Sequence, residues 1–206
     1  MYKYDAKIQR NIEKNTNKKI LLRKKQKKYC HYTFLEYICK KIHSTKNIRR
    51  NMNKKELMAR AILLSKESVE CGGGPFGAVI ARNGEIVAEA SNRVTIDCDP
   101  TAHAEVSAIR KAAKVLGTFD LSGCEIFTSC EPCPMCLGAI YWAHLDKIYF
   151  ANDRKDAANI GFDDDFIYKE IALTPEERQK PSEILMREEA LKTFEMWREK
   201  ADKTEY

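Results

Sequence analysis

Two short segments of the chain carry side chains suited to metal chemistry. His103 and Glu105 lie two residues apart, and Cys133 and Cys136 lie three apart behind Pro132. One imidazole and two thiolates form a three-donor set, which is what a catalytic zinc takes when its fourth position is kept open for water. Glu105 is then a proton shuttle rather than a ligand. Zinc lowers the pKa of its bound water toward neutrality, and a carboxylate beside it can take that proton and pass it on. The donor set implies one Zn2+ per subunit.

The spacing also dictates what must hold these groups. Cys133 and Cys136, at i and i+3, share one helix face. Pro132 is expected to open that helix, which runs to about residue 143 and places both thiols in a first turn, where the helix dipole favours thiolate. Asp99-Pro100 supplies a cap and a first-position proline for a second helix ending near Leu116, with His103 in its first turn. Glu105 lies roughly 200° from His103 around an ideal helix. The two converge because side chains tilt toward the N-terminus and a metal beyond the helix end is within reach of several azimuths. Two helix starts are therefore expected to face one metal.

The flanking pattern supplies a scaffold. Leu57, Ala61, Leu64 and Ser68 recur at helical spacing within residues 54–70. The glycines at 72–74 read as a turn, since no Lys-Ser/Thr follows them as in a phosphate loop. Segments 76–82 and 85–90 flank Asn83-Gly84, a strong hairpin signal. Residues 124–129 and 147–151 read as further strands, and residues 182–200 as a charged amphipathic helix contacting its neighbours through Leu191, Phe194 and Trp197. This order suggests an α/β fold, a mixed sheet with helices on both faces.

The net charge of +6 is unevenly placed. Residues 1–51 carry 16 Lys/Arg against 3 Asp/Glu, a balance of +13, whereas residues 52–206 carry 20 against 27, a balance of −7. The leader, rich in Lys and Asn, is expected to be disordered or loosely helical. Composition changes abruptly at Met52, and that residue is expected to be the true start, with 1–51 an upstream extension of the reading frame. Cys30, His31, Cys39 and His43 in the leader fit no standard finger spacing. The acidic remainder offers no electrostatic footprint for nucleic acid. Without a membrane span or secretory segment, the expected location is the cytoplasm, where clustered cysteines bind metals more often than they form disulfides.

Other metal readings remain on the residues alone. A Cys-x-x-Cys pair can be redox-active or half of a zinc ribbon, but no second pair is present. Cys130, Cys133 and Cys136 also follow part of an iron–sulfur spacing. That assignment lacks a fourth ligand and leaves His103 and Glu105 without a role. Cys130 is expected to be a packed thiol near the site, and His144 an ordinary residue beyond a helix end.

The order His-x-Glu and then Pro-Cys-x-x-Cys matches the signature of zinc-dependent base deaminases. Residues 52–206 resemble the bacterial guanine deaminases of the cytidine-deaminase-like superfamily. The likeness is carried by Gly73-Gly-Pro-Phe-Gly-Ala-Val-Ile80, Asp99-Pro-Thr-Ala-His-Ala-Glu105, Thr128-Ser-Cys-Glu-Pro-Cys-Pro-Met-Cys-Leu-Gly-Ala-Ile-Tyr-Trp142, Gly161-Phe-Asp-Asp164 and Glu205-Tyr206. The zinc motif alone suits tRNA adenosine and cytosine deaminases equally. Tyr141-Trp142, Phe162-Asp163-Asp164 and the terminal Tyr206 favour guanine.

The resemblance implies an α/β cytidine-deaminase-like fold in three α/β/α layers, with a central mixed sheet of about five strands, and hydrolysis of guanine to xanthine and ammonia, with Glu105 protonating a ring nitrogen. It makes Asn92 a contact to the polar edge of the base and Phe76 an aromatic wall. Asp164 becomes a carboxylate that reads the guanine edge or relays a proton to the leaving amine. The Ala104 backbone completes the cradle, and Tyr206 becomes a lid contributed by the partner in a homodimer with swapped C-terminal segments. On residue type alone, Asn92 could instead end the hairpin, Phe76 could be core, and Asp163 to Asp165 could be a solvated turn. Deamination of guanosine or of tRNA adenosine, and binding without catalysis, are the alternative functions.

Overall fold

The structure, a computed structural model, describes residues 51–205. The leader expectations, the candidate finger residues and Tyr206 lie outside the described residues. The element order is α1 (Lys54–Glu70), β1 (Gly77–Arg82), β2 (Glu85–Ser91), α2 (Val94–Asp97), α3 (Ala104–Leu116), β3 (Glu125–Cys130), α4 (Pro134–Trp142), β4 (Lys147–Asn152), α5 (Arg154–Asn159), α6 (Asp165–Ala172) and α7 (Arg187–Glu199).

The strands form one mixed sheet in the order β2-β1-β3-β4. β1 pairs antiparallel with β2 and with β3, and β3 pairs parallel with β4 across the α4 crossover. Four strands form among the described residues, not the expected five. After Asn152 the chain folds into α5, α6 and α7 with no further strand, because short capped helices claim the backbone there. Asp153, for example, opens α5 in a capping box with Asp156.

Alternation along β1 and β3 divides the core between the two faces of the sheet. Ala78, Ile80 and Ile126 point to one face, packed with Ala104, Ala108 and Ala112 of α3 and Ile140 of α4. Val79, Ala81 and Phe127 point to the other, packed with Leu57, Ala61 and Leu64 of α1. Helices on both faces give the expected three layers. The four positions predicted to face inward on α1 are its four buried residues. α1 approaches β1 so closely that a Cβ on Gly77 would lie 2.3 Å from the Ala61 carbonyl oxygen. Asn83 and Gly84 both adopt positive φ (51° and 79°), as a two-residue hairpin turn requires.

Both ligand-bearing helices begin later than the sequence suggests. Asp99 caps a turn, accepting at Oδ1 from the Thr101 N–H (2.8 Å) and hydroxyl (2.7 Å), and α3 starts only at Ala104. Pro132 lies outside α4, which has Pro134 in its first turn. The C-terminal helix is also shorter than expected, and two of its three anticipated contact residues are exposed among the described residues. Phe194 and Trp197 are 73% and 44% exposed.

Candidate active site

His103 and Cys133 are each the N-cap of a helix, His103 of α3 and Cys133 of α4. Both have extended backbone (ψ 157° and 167°), and neither uses its side chain to cap its own helix. The two side chains instead turn toward each other across the gap between the helix starts. His103 Nδ1 lies 3.5 Å from Cys133 Sγ and 3.5 Å from Cys136 Sγ. Cys136 sits one turn into α4 and is fully buried. The site stands beyond the C-terminal end of β3, whose last residue is Cys130, the usual place for a site at the carboxyl ends of parallel strands.

These donors fit a zinc ion. The ligand atoms of His103, Cys133 and Cys136 all lie within 4.8 Å of one another. Nitrogen and sulfur ligands about 2.0 and 2.3 Å from a tetrahedral zinc stand roughly 3.5 Å apart, the separation found between His103 and each thiol. Cys133 is held down toward thiolate by its bond to Cys136 and by His103, while Cys136 is pushed up by the same bond and by burial. His103 is raised, chiefly by its contact with Cys133. One thiolate beside a proton-rich imidazole is a site that binds a divalent cation with release of protons.

Glu105 is a buried carboxyl, 6% exposed, and Cys136 Sγ donates to its Oε2 at 3.5 Å. Desolvation pushes its pKa up, so it holds a proton at a higher pH than an ordinary Glu. A carboxyl raised in this way against a metal-ligand set is placed to exchange protons with whatever occupies the open side.

Cys130 is buried, its Sγ directed at the Asp153 carbonyl oxygen (3.6 Å). Burial pushes its pKa up to about 11, and it is not part of the ligand group. The iron–sulfur spacing is thereby left without its first member. His144 lies beside Asp120 (3.6 Å) at the far end of α4.

Asn92, just after β2, has both its side-chain oxygen and its backbone carbonyl engaged. Its Oδ1 accepts from the Gly74 N–H (3.4 Å) and the Val94 N–H (3.2 Å), which turns the amide so that Nδ2 is the group available as a donor. Its carbonyl oxygen accepts from the Ser68 hydroxyl (3.0 Å), and a Cβ on Gly73 would approach that oxygen to 2.5 Å. The Arg93 N–H donates to Ala102 O (2.9 Å), tying this corner to the residue before His103. Phe76 is half-buried against the core and also meets Phe162 edge-on, ring centroids 4.9 Å apart. Ala104 is the first residue of α3, where a backbone N–H has no acceptor within its own helix.

Asp164 is the N-cap position of α6. Burial first, and then the Cys133 charge, raise its pKa. Sequence reasoning passed over Glu131, Arg154 and Tyr168, which join α5 and α6 to the loop before Cys133. The only sequence signal was that Tyr168 falls one helical turn after Asp164.

A mixed three-layer sheet that brings three soft and nitrogen donors together beside a buried acid defines the class of zinc-dependent hydrolytic deaminases. Residues 51–152 match the model of the cytidine and deoxycytidylate deaminase zinc-binding region. The chain is 54% identical over 156 residues to a guanine deaminase of Bacillus subtilis, a match covering 75% of this chain and the whole of that protein. The crystal structure of a Bacillus subtilis guanine deaminase superposes with a TM-score of 0.73 at 54% identity, covering 75% of this chain and 99% of the other. A Nitrosomonas europaea guanine deaminase gives a TM-score of 0.54 at 32% identity, covering 61% and 69%. The chain belongs to the cytidine and deoxycytidylate deaminase family and is a zinc-dependent enzyme of it. No helix among the described residues is long and apolar enough to cross a membrane.

Proposed function

We propose that this enzyme hydrolyses guanine to xanthine and ammonia, in purine catabolism or salvage. The observation that carries the reading is the buried Glu105 against the His103, Cys133 and Cys136 donor set. The identity with a guanine deaminase along its whole length supports guanine as the base.

His103, Cys133 and Cys136 would hold the zinc, which when bound supplies Lewis-acid activation of a water for attack on the amidine carbon. The protein's own groups do the rest. Glu105, its pKa raised by burial, accepts a proton and delivers it to a ring nitrogen of the base. Asp164, also raised, faces the guanine edge or relays a proton to the departing amine. Asn92 Nδ2 donates to the base, an orientation favoured because its oxygen is already engaged by two backbone amides. The Ala104 N–H completes the polar cradle, and Phe76 forms a wall backed by Phe162. A pocket whose buried donors demand partners rejects bases that cannot supply them.

The working unit we propose is a homodimer with exchanged C-terminal segments, in which residues 52–206 form the catalytic domain and Tyr206 closes the partner's site. Supporting this are the apolar side chains of α7 and the segment before it. Leu185, Met186, Phe194 and Met196 are 81%, 65%, 73% and 71% exposed on a single chain, more apolar surface than a monomer normally leaves bare. A cytoplasmic enzyme suits the cysteine usage.

Ammonia release from guanine, guanosine, adenine, cytosine and a tRNA anticodon stem tests the assignment. Guanine is expected to lead adenine, cytosine and the anticodon stem by at least about 100-fold, since those bases leave polar groups unpaired, and guanosine, which keeps the same base edge, separates base from nucleoside specificity. Preference for guanosine or the anticodon stem would replace the substrate while leaving the zinc chemistry in place.

A further inference from the structure

Asp164 sits on a helix that is not held by burial. No residue of α6 is buried, and its apolar side chains Phe166, Ile167 and Ile171 are 56%, 36% and 59% exposed. A carboxyl that must meet a base beside the ligand set needs its position fixed by something else.

Two contacts bracket it. Two residues before Asp164, Phe162 meets Phe76 edge-on. One turn after it, the Tyr168 hydroxyl donates to the carbonyl oxygen of Pro132 at 2.9 Å, and Pro132 immediately precedes the ligand Cys133. Between these contacts, the Asp164 carbonyl accepts from the N–H groups of Ile167 (3.0 Å) and Tyr168 (3.4 Å), so Asp164 and Tyr168 belong to one rigid turn. Tyr168 is itself gripped from the other side. The Arg154 guanidinium lies 4.5 Å from its ring centroid. Arg154 in turn pairs with Glu131, Nε to Oε1 at 3.1 Å, and its N–H donates to Oε2 at 3.2 Å. Glu131 is the residue before Pro132. The chain Pro132, Tyr168, Arg154, Glu131 closes on itself, clasping α5 and α6 to the loop that delivers Cys133.

We propose that Tyr168 is a positioning residue for the deamination reaction. Its hydroxyl sets the separation between Asp164 and the metal-ligand loop, and Arg154 and Glu131 hold the ring that carries that hydroxyl. The inference rests on the reading of Asp164 given above. It accounts for how a helix with no buried residue is held against the ligand loop. Displacement of a reacting group by about 1 Å can cost about 100-fold in rate, so one hydrogen bond at this lever is enough to matter.

A double-mutant cycle on the zinc-loaded, full-length enzyme tests it. Tyr168→Phe keeps the ring under Arg154 and removes only the hydroxyl. It is expected to lower kcat for guanine by about tenfold or more with KM changed less than about threefold, at one zinc per chain and unchanged melting temperature. In an Asp164→Asn background the same substitution is expected to cost less than about twofold, since the group it positions is already gone. Arg154→Gln, at a partly exposed position, is expected to give a smaller loss with the same non-additivity, and it stands in if Tyr168→Phe does not fold. Equal losses in both backgrounds, loss of zinc from Tyr168→Phe, or an inert Tyr168→Phe beside a damaging Asp164→Asn would each overturn the inference alone. An inert Asp164→Asn would remove the reading of Asp164 and this inference with it.

Discussion

His103 and Cys133 cap two different helices and point at each other, Nδ1 to Sγ at 3.5 Å. Each gives up the side-chain capping bond its position normally makes. A cation that joins these donors ties the two helix starts together. Zinc binding and folding stability are therefore linked.

Removal of zinc tests that linkage. A ligand present at about 1,000 times its Kd stabilises the folded state by about 4 kcal/mol. For a domain of this size, that is about 10 °C in Tm. Chelation is expected to lower Tm by that order, and His103→Ala or Cys136→Ala to bring bound zinc from one per chain to near none. Elemental analysis beside a thermal melt checks both.

Asn92 can be divided into its two roles. Asn92→Asp keeps an oxygen for the Gly74 and Val94 amides and replaces only Nδ2. The expected result is a fall in kcat/KM for guanine of at least about 100-fold with zinc retained, because a buried donor to the base becomes an acceptor. Asn92→Ala should in addition cost about 1–3 kcal/mol of stability by orphaning the two amides. Guanine kinetics unchanged in Asn92→Asp would show that Nδ2 does not touch the base.

Cys130 gives a pH prediction. With its pKa pushed up to about 11, it is a neutral thiol throughout the physiological range, and its reactive thiolate grows about tenfold per pH unit until that value is reached. Iodoacetamide at pH 8 is expected to label the exposed Cys98 and spare Cys130, with Cys130 labelling rising steadily toward pH 11. Rapid modification of Cys130 at pH 8, read by peptide mass spectrometry, would place it among the reactive site thiols.

The C-terminal segment makes its own prediction. Deletion of residues 203–206 is expected to lower kcat/KM for guanine by at least about tenfold through loss of the lid, while sedimentation still gives a dimer held by α7. Unchanged turnover would end the lid role. A monomer for the intact chain would end the swapped dimer.

The sequence made the ligands legible because their spacing is imposed by helix starts, and it made α1 legible because Leu57, Ala61, Leu64 and Ser68 follow the helical period. The hairpin was legible because Asn83 and Gly84 tolerate the positive φ that the turn demands. Helix boundaries were not. Asp99-Pro100 and Pro132 carry good starting chemistry, but His103 and Cys133 keep extended backbone as the N-caps, so that α3 starts at Ala104 and α4 at Pro134. The grip on Asp164 was not legible either. Glu131, Arg154 and Tyr168 are scattered along the chain and obey no period, and only the fold brings them together.

The most direct measurement follows xanthine and ammonia released from guanine by the zinc-loaded enzyme and by Glu105→Gln. The parent is expected to give both products in equal amounts. The variant, with one zinc per chain, is expected to fall by about a thousandfold or more, in the upper part of the range for loss of a general acid–base. No xanthine from a fully zinc-loaded parent, or turnover that survives Glu105→Gln, would contradict the account.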